Sequence, residues 1–70
     1  MNIISQGVNI LVKWNIADKH DAQKAKQTFL SYTRQGWLAT TRNSENEFQR
    51  ILRFSPDAGE MLFIPFSEGG

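Results

Sequence analysis

The sequence predicts a small α+β domain in which one helix packs on one face of a mostly antiparallel sheet. Three observations predict this class: a β-branched run at residues 8–14, a helical stripe at residues 22–32, and strand-like segments from residue 37 onward. The predicted element order is (β)βαβββ, with a short first strand. A helix and a sheet that each carry one apolar face bury both faces when they form two layers.

The first well-defined strand is predicted at Val8 to Trp14, where β-branched and aromatic residues predominate. Ile10 and Val12 share one face with Trp14, because successive side chains of a strand point to opposite faces. Residues 2–4 are expected to pair back on this strand as a short edge strand.

A helix is predicted to follow, with Asp18 or Asp21 as its N-cap. Its buried stripe consists of Ala22, Ala25, Phe29 and Tyr32, spaced three and four residues apart. Gly36 is expected to end the helix, because the position after a helix often needs a left-handed backbone.

Three further strands are predicted, at residues 37–42, 47–54 and 60–64. Residues 43–46 form a polar turn between the first two, and residues 55–59 contain the Pro, Asp and Gly of a second turn. Pro65 is expected to end the last strand, because it has no amide proton for the sheet. The predicted domain is therefore residues 1–66, followed by a free tail at residues 67–70.

The composition bounds the function. With 70 residues, 40% hydrophobic and 21% charged, the chain is expected to form one globular domain. It has no cysteine and a net charge of +1, which excludes thiol chemistry and does not favour a nucleic-acid partner. No segment is long and apolar enough to span a membrane, and a cytoplasmic location is the expectation.

We expect no catalytic residue, no metal site and no bound cofactor. The single histidine, His20, lies at the predicted helix start among charged residues and is interpreted as a surface residue. Asp18 and Asp21 are interpreted as capping residues, because one histidine with scattered carboxylates is not a metal-ligand set.

The tryptophans and arginines are compatible with two arrangements. Trp14 and Trp37 are predicted to lie in the core, which leaves the arginines of the later strands on the uncovered face or rim of the sheet. This candidate docking face for a protein comprises Arg42, Arg50 and Arg53. The alternative is a platform on which single-stranded nucleic acid stacks.

The C-terminal sequence is the most specific chemical feature. Gly69 and Gly70 have no side chains, so a narrow channel can admit them and the Gly70 carboxyl carbon is unhindered. Phe66, Ser67 and Glu68 precede them as residues that a partner enzyme would recognise. A loose terminus without a function is the alternative interpretation.

These features together resemble the ubiquitin-like proteins and their sulfur-carrier relatives, and in particular the short bacterial modifiers encoded in ubiquitination-like operons. The matching segments are residues 11–14, Ala25 and Phe29, residues 36–39, residues 54–56, and Ile64-Pro65 before Gly69-Gly70.

The resemblance implies a β-grasp-like sheet and a protein modifier that is not itself an enzyme. A partner activating enzyme would use ATP to adenylate the Gly70 carboxylate and then hold it as a thioester, and a conjugating enzyme would join it to a target through an isopeptide bond. A deconjugating peptidase would be the third partner. The alternatives are a sulfur carrier, and a non-covalent binding module that uses the arginine-bearing sheet face.

Overall fold

The structure is a computed structural model that describes residues 1–65. Its elements are β1 (Asn2–Gln6), β2 (Asn9–Lys13), α1 (Lys19–Arg34), β3 (Leu38–Arg42), β4 (Phe48–Arg50), the 3₁₀ turn η1 (Pro56–Ala58) and β5 (Glu60–Ile64). One helix packs on one face of a five-stranded sheet, which confirms the predicted α+β two-layer class.

The strands lie in the order β1-β2-β5-β3-β4, so that β5 is at the centre of the sheet. All four pairings within residues 1–65 are antiparallel. The β-grasp strand order that the resemblance implies is not confirmed here. The leading hairpin presents its second strand, β2, to β5.

The helix begins where the sequence predicts. The Asp18 side chain accepts hydrogen bonds from the backbone amides of His20 and Asp21, which satisfies two donors that the first turn leaves unpaired. The predicted end is also confirmed, since Gly36 follows the C-cap residue Gln35 with φ of 96°.

The core lies between α1 and the helix-facing side of the sheet. Its buried members are Val12, Trp14, Ala25, Phe29, Ala39, Met61 and Phe63. Tyr32 stacks on Phe63 with ring centroids 4.7 Å apart, and it meets Trp37 edge-on at 5.0 Å. The prediction that both tryptophans belong to the core is confirmed for Trp14 and, in half-buried form, for Trp37.

The N-terminal hairpin differs from its prediction in length. β1 extends to Gln6, and Val8 lies in the turn rather than in the following strand. Gly7 has φ of 64°, which a two-residue hairpin turn requires and which glycine adopts without strain. The chain therefore has a complete first strand of five residues where the sequence indicated a marginal one.

The strand predicted at residues 47–54 is wrong beyond Arg50. The Ile51 amide still donates to the Ala39 carbonyl at 2.9 Å, but the chain then bends away from β3. Phe54 turns back beneath the helix, 5.4 Å from Trp14 and 6.0 Å from Phe29 between ring centroids. Burial of Phe54 in this aromatic group replaces the pairing that a longer β4 would make.

Candidate functional site

The uncovered face of the sheet carries an apolar centre. The register places Ile4, Leu11, Leu62, Thr40 and Arg50 in one row across the five strands. Leu11 and Leu62 are only 7% and 8% exposed, although no helix within residues 1–65 packs on this side. The Thr40 hydroxyl donates to the Leu62 carbonyl at 2.9 Å, which fixes its side chain beside Leu62. We call this row the open-face row.

A charged row lies next to it, nearer the start of β5. Lys13, Glu60, Arg42 and Phe48 follow one another across four strands. Arg42 Nε lies 3.4 Å from Glu60 Oε1, and its guanidinium carbon lies 4.5 Å from the centroid of the Phe48 ring. Arg42 also donates to the Asn46 side-chain oxygen at 3.2 Å. These contacts fix the Arg42 guanidinium in position.

The three arginines of the candidate docking face do not lie together. Arg42 and Arg50 are both on the uncovered face, because they pair with Phe48 and Thr40 respectively. Arg53 lies after the bend that ends β4 and lines a groove beside the first half of α1, together with Lys19 and Lys26. Arg53 therefore belongs to a different surface.

The polar residues at the helix start have structural roles. His20 is exposed, as predicted. Asp21 does not cap the helix: its carboxylate accepts from the Asn15 amide at 2.8 Å and pairs with the Met1 ammonium at 2.7 Å. The hydrogen bond from Asn15 and the contact with the N-terminal ammonium lower the pKa of Asp21 from its ordinary value of 3.8. These contacts join the chain start and the end of the β2 segment to the first turn of α1.

A second hollow, of about 470 Å³, lies at the opposite end of the helix. Phe29, Leu30, Trp37, Ile51 and Leu52 contribute to its wall. It forms where the bend after β4 leaves the start of β3 without a neighbour on that side. Its lining is mostly apolar.

Within residues 1–65, no group of three or more histidine, aspartate or glutamate side chains is arranged to hold a metal ion. No helix in that range is long and apolar enough to cross a membrane.

The predicted recognition and conjugation residues Phe66, Ser67, Glu68, Gly69 and Gly70 lie outside the described residues. The residues leading to them are described: Ile64 is the last residue of β5, and Pro65 is exposed.

The apolar centre of the uncovered face is the feature that the sequence interpretation missed. Residues 10–12 and 61–63 are continuous apolar runs, whereas a strand with one wet face alternates. That pattern is the signal of strands buried on both faces, and it could have identified Leu11 and Leu62.

The chain matches no protein-family model, no curated protein and no solved structure.

Proposed function

We propose that the chain is a ubiquitin-like protein modifier that is conjugated through the carboxylate of Gly70. The observation that carries the proposal is the position of β5. This strand, paired on one side with β2 and on the other with β3, leads after Pro65 to Gly69-Gly70. A strand held on both sides is a firm attachment for a segment that an enzyme must grip.

The chemistry proposed for Gly70 needs a partner and ATP. The carboxylate attacks the α-phosphate of ATP and releases pyrophosphate, a partner's thiolate then displaces AMP to give a thioester, and an amine of the target displaces the thiol. The chain supplies the acyl group, and the activating and conjugating enzymes supply the catalytic residues. The proposal requires a free carboxylate on Gly70 and includes a cytoplasmic location, where ATP is available.

The uncovered sheet face supports recognition by such enzymes. Ile64 and Leu38 pair at the edge of this face nearest to the tail. Residues 66–70 span at most about 17 Å when extended, at roughly 3.4 Å per residue. An enzyme that contacts this edge of the face can therefore have the terminal glycines within reach.

The sequence of the tail makes the test specific. We would isolate the chain and its adducts from its own cells with antibodies, under denaturing conditions, and digest them with a protease that cuts after glutamate. Cleavage after Glu68 leaves only Gly69-Gly70 on the acceptor lysine, whereas trypsin leaves the whole segment 54–70, which contains no lysine or arginine.

Both remnants should map to the same acceptor lysines, and deletion of Gly69-Gly70 should remove them. Intact-mass measurement of the unconjugated chain separates the sulfur-carrier variant, in which one terminal oxygen is replaced by sulfur. The proposal is wrong if the mass of the chain is unaltered and no adduct is found.

A second candidate, non-covalent protein binding through the uncovered face, is favoured by the positions of Arg50 at one end of the open-face row and Arg42 in the adjacent charged row. Glutamate at both arginines should then abolish capture of the partner, and deletion of Gly69-Gly70 should leave capture intact. The reverse result favours the modifier.

A further inference from the structure

A groove lies between the first half of α1 and the chain that follows β4. Its volume is about 460 Å³, within the range of roughly 300–1,000 Å³ that is common for ligand sites. The helix contributes Lys19, Ala22, Gln23 and Lys26, which recur at positions i, i+3, i+4 and i+7 and therefore form one stripe. Arg53, Phe54 and Pro56 lie on the other side of the groove. The apolar lining residues Ala22, Phe54 and Pro56 form its floor.

The floor of the groove is apolar and firmly held. Phe54 is half-buried and contacts the rings of Trp14 and Phe29, with centroid distances of 5.4 and 6.0 Å. The indole Nε1 of Trp14 donates to the Pro56 carbonyl at 2.9 Å, which joins this part of the floor to the core. Ala22 is small, so the floor stays open above it. A side chain that enters the groove meets a surface that is already formed.

The rim of the groove is cationic. Lys19, Lys26 and Arg53 are exposed, and among residues 1–65 no carboxylate lines the groove. Within residues 1–65 the two ion pairs are Met1–Asp21 and Arg42–Glu60, so none of the three rim cations is paired there. Three of the eight basic residues thus surround one apolar floor in a chain whose net charge is only +1.

The nearby carboxylates that could compete with a ligand have other positions. Asp18 accepts from the amides of His20 and Asp21, and Asp21 itself binds Met1 and Asn15. Asp57 is exposed next to Pro56 and does not line the groove. Because Asp18 already occupies the first helical amides, the helix start is not open to a phosphate group, and recognition must come from the three side chains and the floor.

We propose that this groove binds an acidic peptide segment that inserts one apolar side chain between Ala22, Phe54 and Pro56. The separated cations suit carboxylates on either side of that apolar residue. The apolar floor favours a peptide with an apolar side chain over a phosphate backbone, which has no apolar group to place there. The described lining of this site shares no residue with the open-face row, and the proposal does not depend on conjugation of Gly70.

The test uses the full chain and a fluorescein-labelled peptide in which a Leu-Phe pair is flanked by three glutamates on each side. Binding is followed by fluorescence anisotropy. The variants are Lys26→Glu and Arg53→Glu, and the matched control is Lys24→Glu, an exposed lysine on the same helix that does not line the groove. Each groove variant should weaken binding by up to about fivefold, and the control by less than about twofold, because an exposed charge pair contributes about 1 kcal/mol at most, which is a factor of about five.

Two further peptides test the chemistry of the site. Replacement of Leu-Phe by Ser-Ser should abolish binding, and replacement of the glutamates by glutamine should remove its salt dependence. In an NMR titration, the amides of Ala22 and Phe54 should shift and that of Leu62, on the opposite face of the sheet, should not.

The proposal is overturned if Lys24→Glu weakens binding as much as Lys26→Glu, or if the Ser-Ser peptide binds equally well. It is also overturned if a single-stranded oligonucleotide of equal charge displaces the peptide and shifts the same amides more strongly. All substituted side chains are exposed, and a thermal melt of each variant checks that it folds.

Discussion

The two faces of the sheet are built from the same strands but are stabilised differently. On the covered face, Phe63 and Met61 are fully buried beneath α1, and the Phe63 ring stacks on that of Tyr32. On the uncovered face, Leu62 is 8% exposed, and its register neighbours within residues 1–65 are Leu11 and Thr40. The comparison teaches that low exposure alone does not show packing against the helix, and we expect the two faces to respond differently to substitution.

The largest expected effect is the loss of a core ring. Phe63→Ala should lower the free energy of unfolding by about 3–5 kcal/mol, because a cavity remains between the helix and the sheet. Leu62→Ala, next to it on the other face, should cost about 2 kcal/mol, the lower end of the range for this substitution, because solvent can enter the space. Urea denaturation measures both values.

A small domain has a low total stability, and Phe63→Ala could leave it unfolded. In that case Phe63→Leu is measured instead of Phe63→Ala. Its cost per heavy atom removed should still exceed that of Leu62→Ala. An equal cost at the two positions would show that the uncovered face is packed like an interlayer core.

The next effect separates two adjacent threonines. Thr40→Val on the uncovered face should cost about 1 kcal/mol, because it removes the hydroxyl that donates to the Leu62 carbonyl. Thr41 is buried to a similar degree on the covered face, and within residues 1–65 its hydroxyl makes no hydrogen bond and is not a buried unpaired group. Thr41→Val should therefore be neutral or slightly stabilising. Thermal unfolding of the two variants checks the difference, and a cost at Thr41 equal to that at Thr40 would contradict it.

A smaller effect is expected in the charged row. Arg42→Lys keeps the positive charge but removes the planar group that lies over Phe48, and it should cost about 0.5–1 kcal/mol. Arg50→Lys, on the same face, is the matched control and should be silent. Added salt should reduce the part of the cost that comes from Glu60, since this pair is solvent-accessible. If Arg50→Lys lowers the stability as much as Arg42→Lys does, the contacts with Phe48 and Glu60 do not hold the Arg42 guanidinium in a fixed position.

The covered face was predictable from sequence to a greater extent than the uncovered one. The stripe from Ala22 to Tyr32 and the strand at residues 60–64 have the periodicity and boundary residues that local physics requires, and both are confirmed. The Asp18 cap and Gly36 have the same local origin. None of these depends on which strands become neighbours.

The remaining features depend on tertiary contacts that no local pattern contains. Residues 47–54 alternate like a strand, but Ile51 and Phe54 are the residues that reach the core, and Leu52 is 79% exposed. Their spacing of three suits a bend rather than a strand. The same bend moves Arg53 from the sheet to the groove beside α1, which is why the arginines could not be grouped correctly from sequence. Pairing of β2 with β5 likewise decides that Leu11 and Leu62 meet.

The smallest effect concerns how the helix is attached to the covered face. Asp21 joins the first turn of α1 to Met1 and Asn15, and these contacts lower its pKa in the folded protein below 3.8. A carboxylate whose folded pKa is lowered stabilises the fold above its unfolded pKa, and this contribution is lost as pH falls through the folded value. The stability difference between the wild type and Asp21→Asn should therefore be constant above about pH 5 and decrease below about pH 4. Melting temperatures across this range measure it, with Asp57→Asn as the control for loss of one exposed negative charge. If the difference does not change with pH, the Asp21 contacts do not hold the helix against the sheet, and attachment of α1 rests on the apolar core alone.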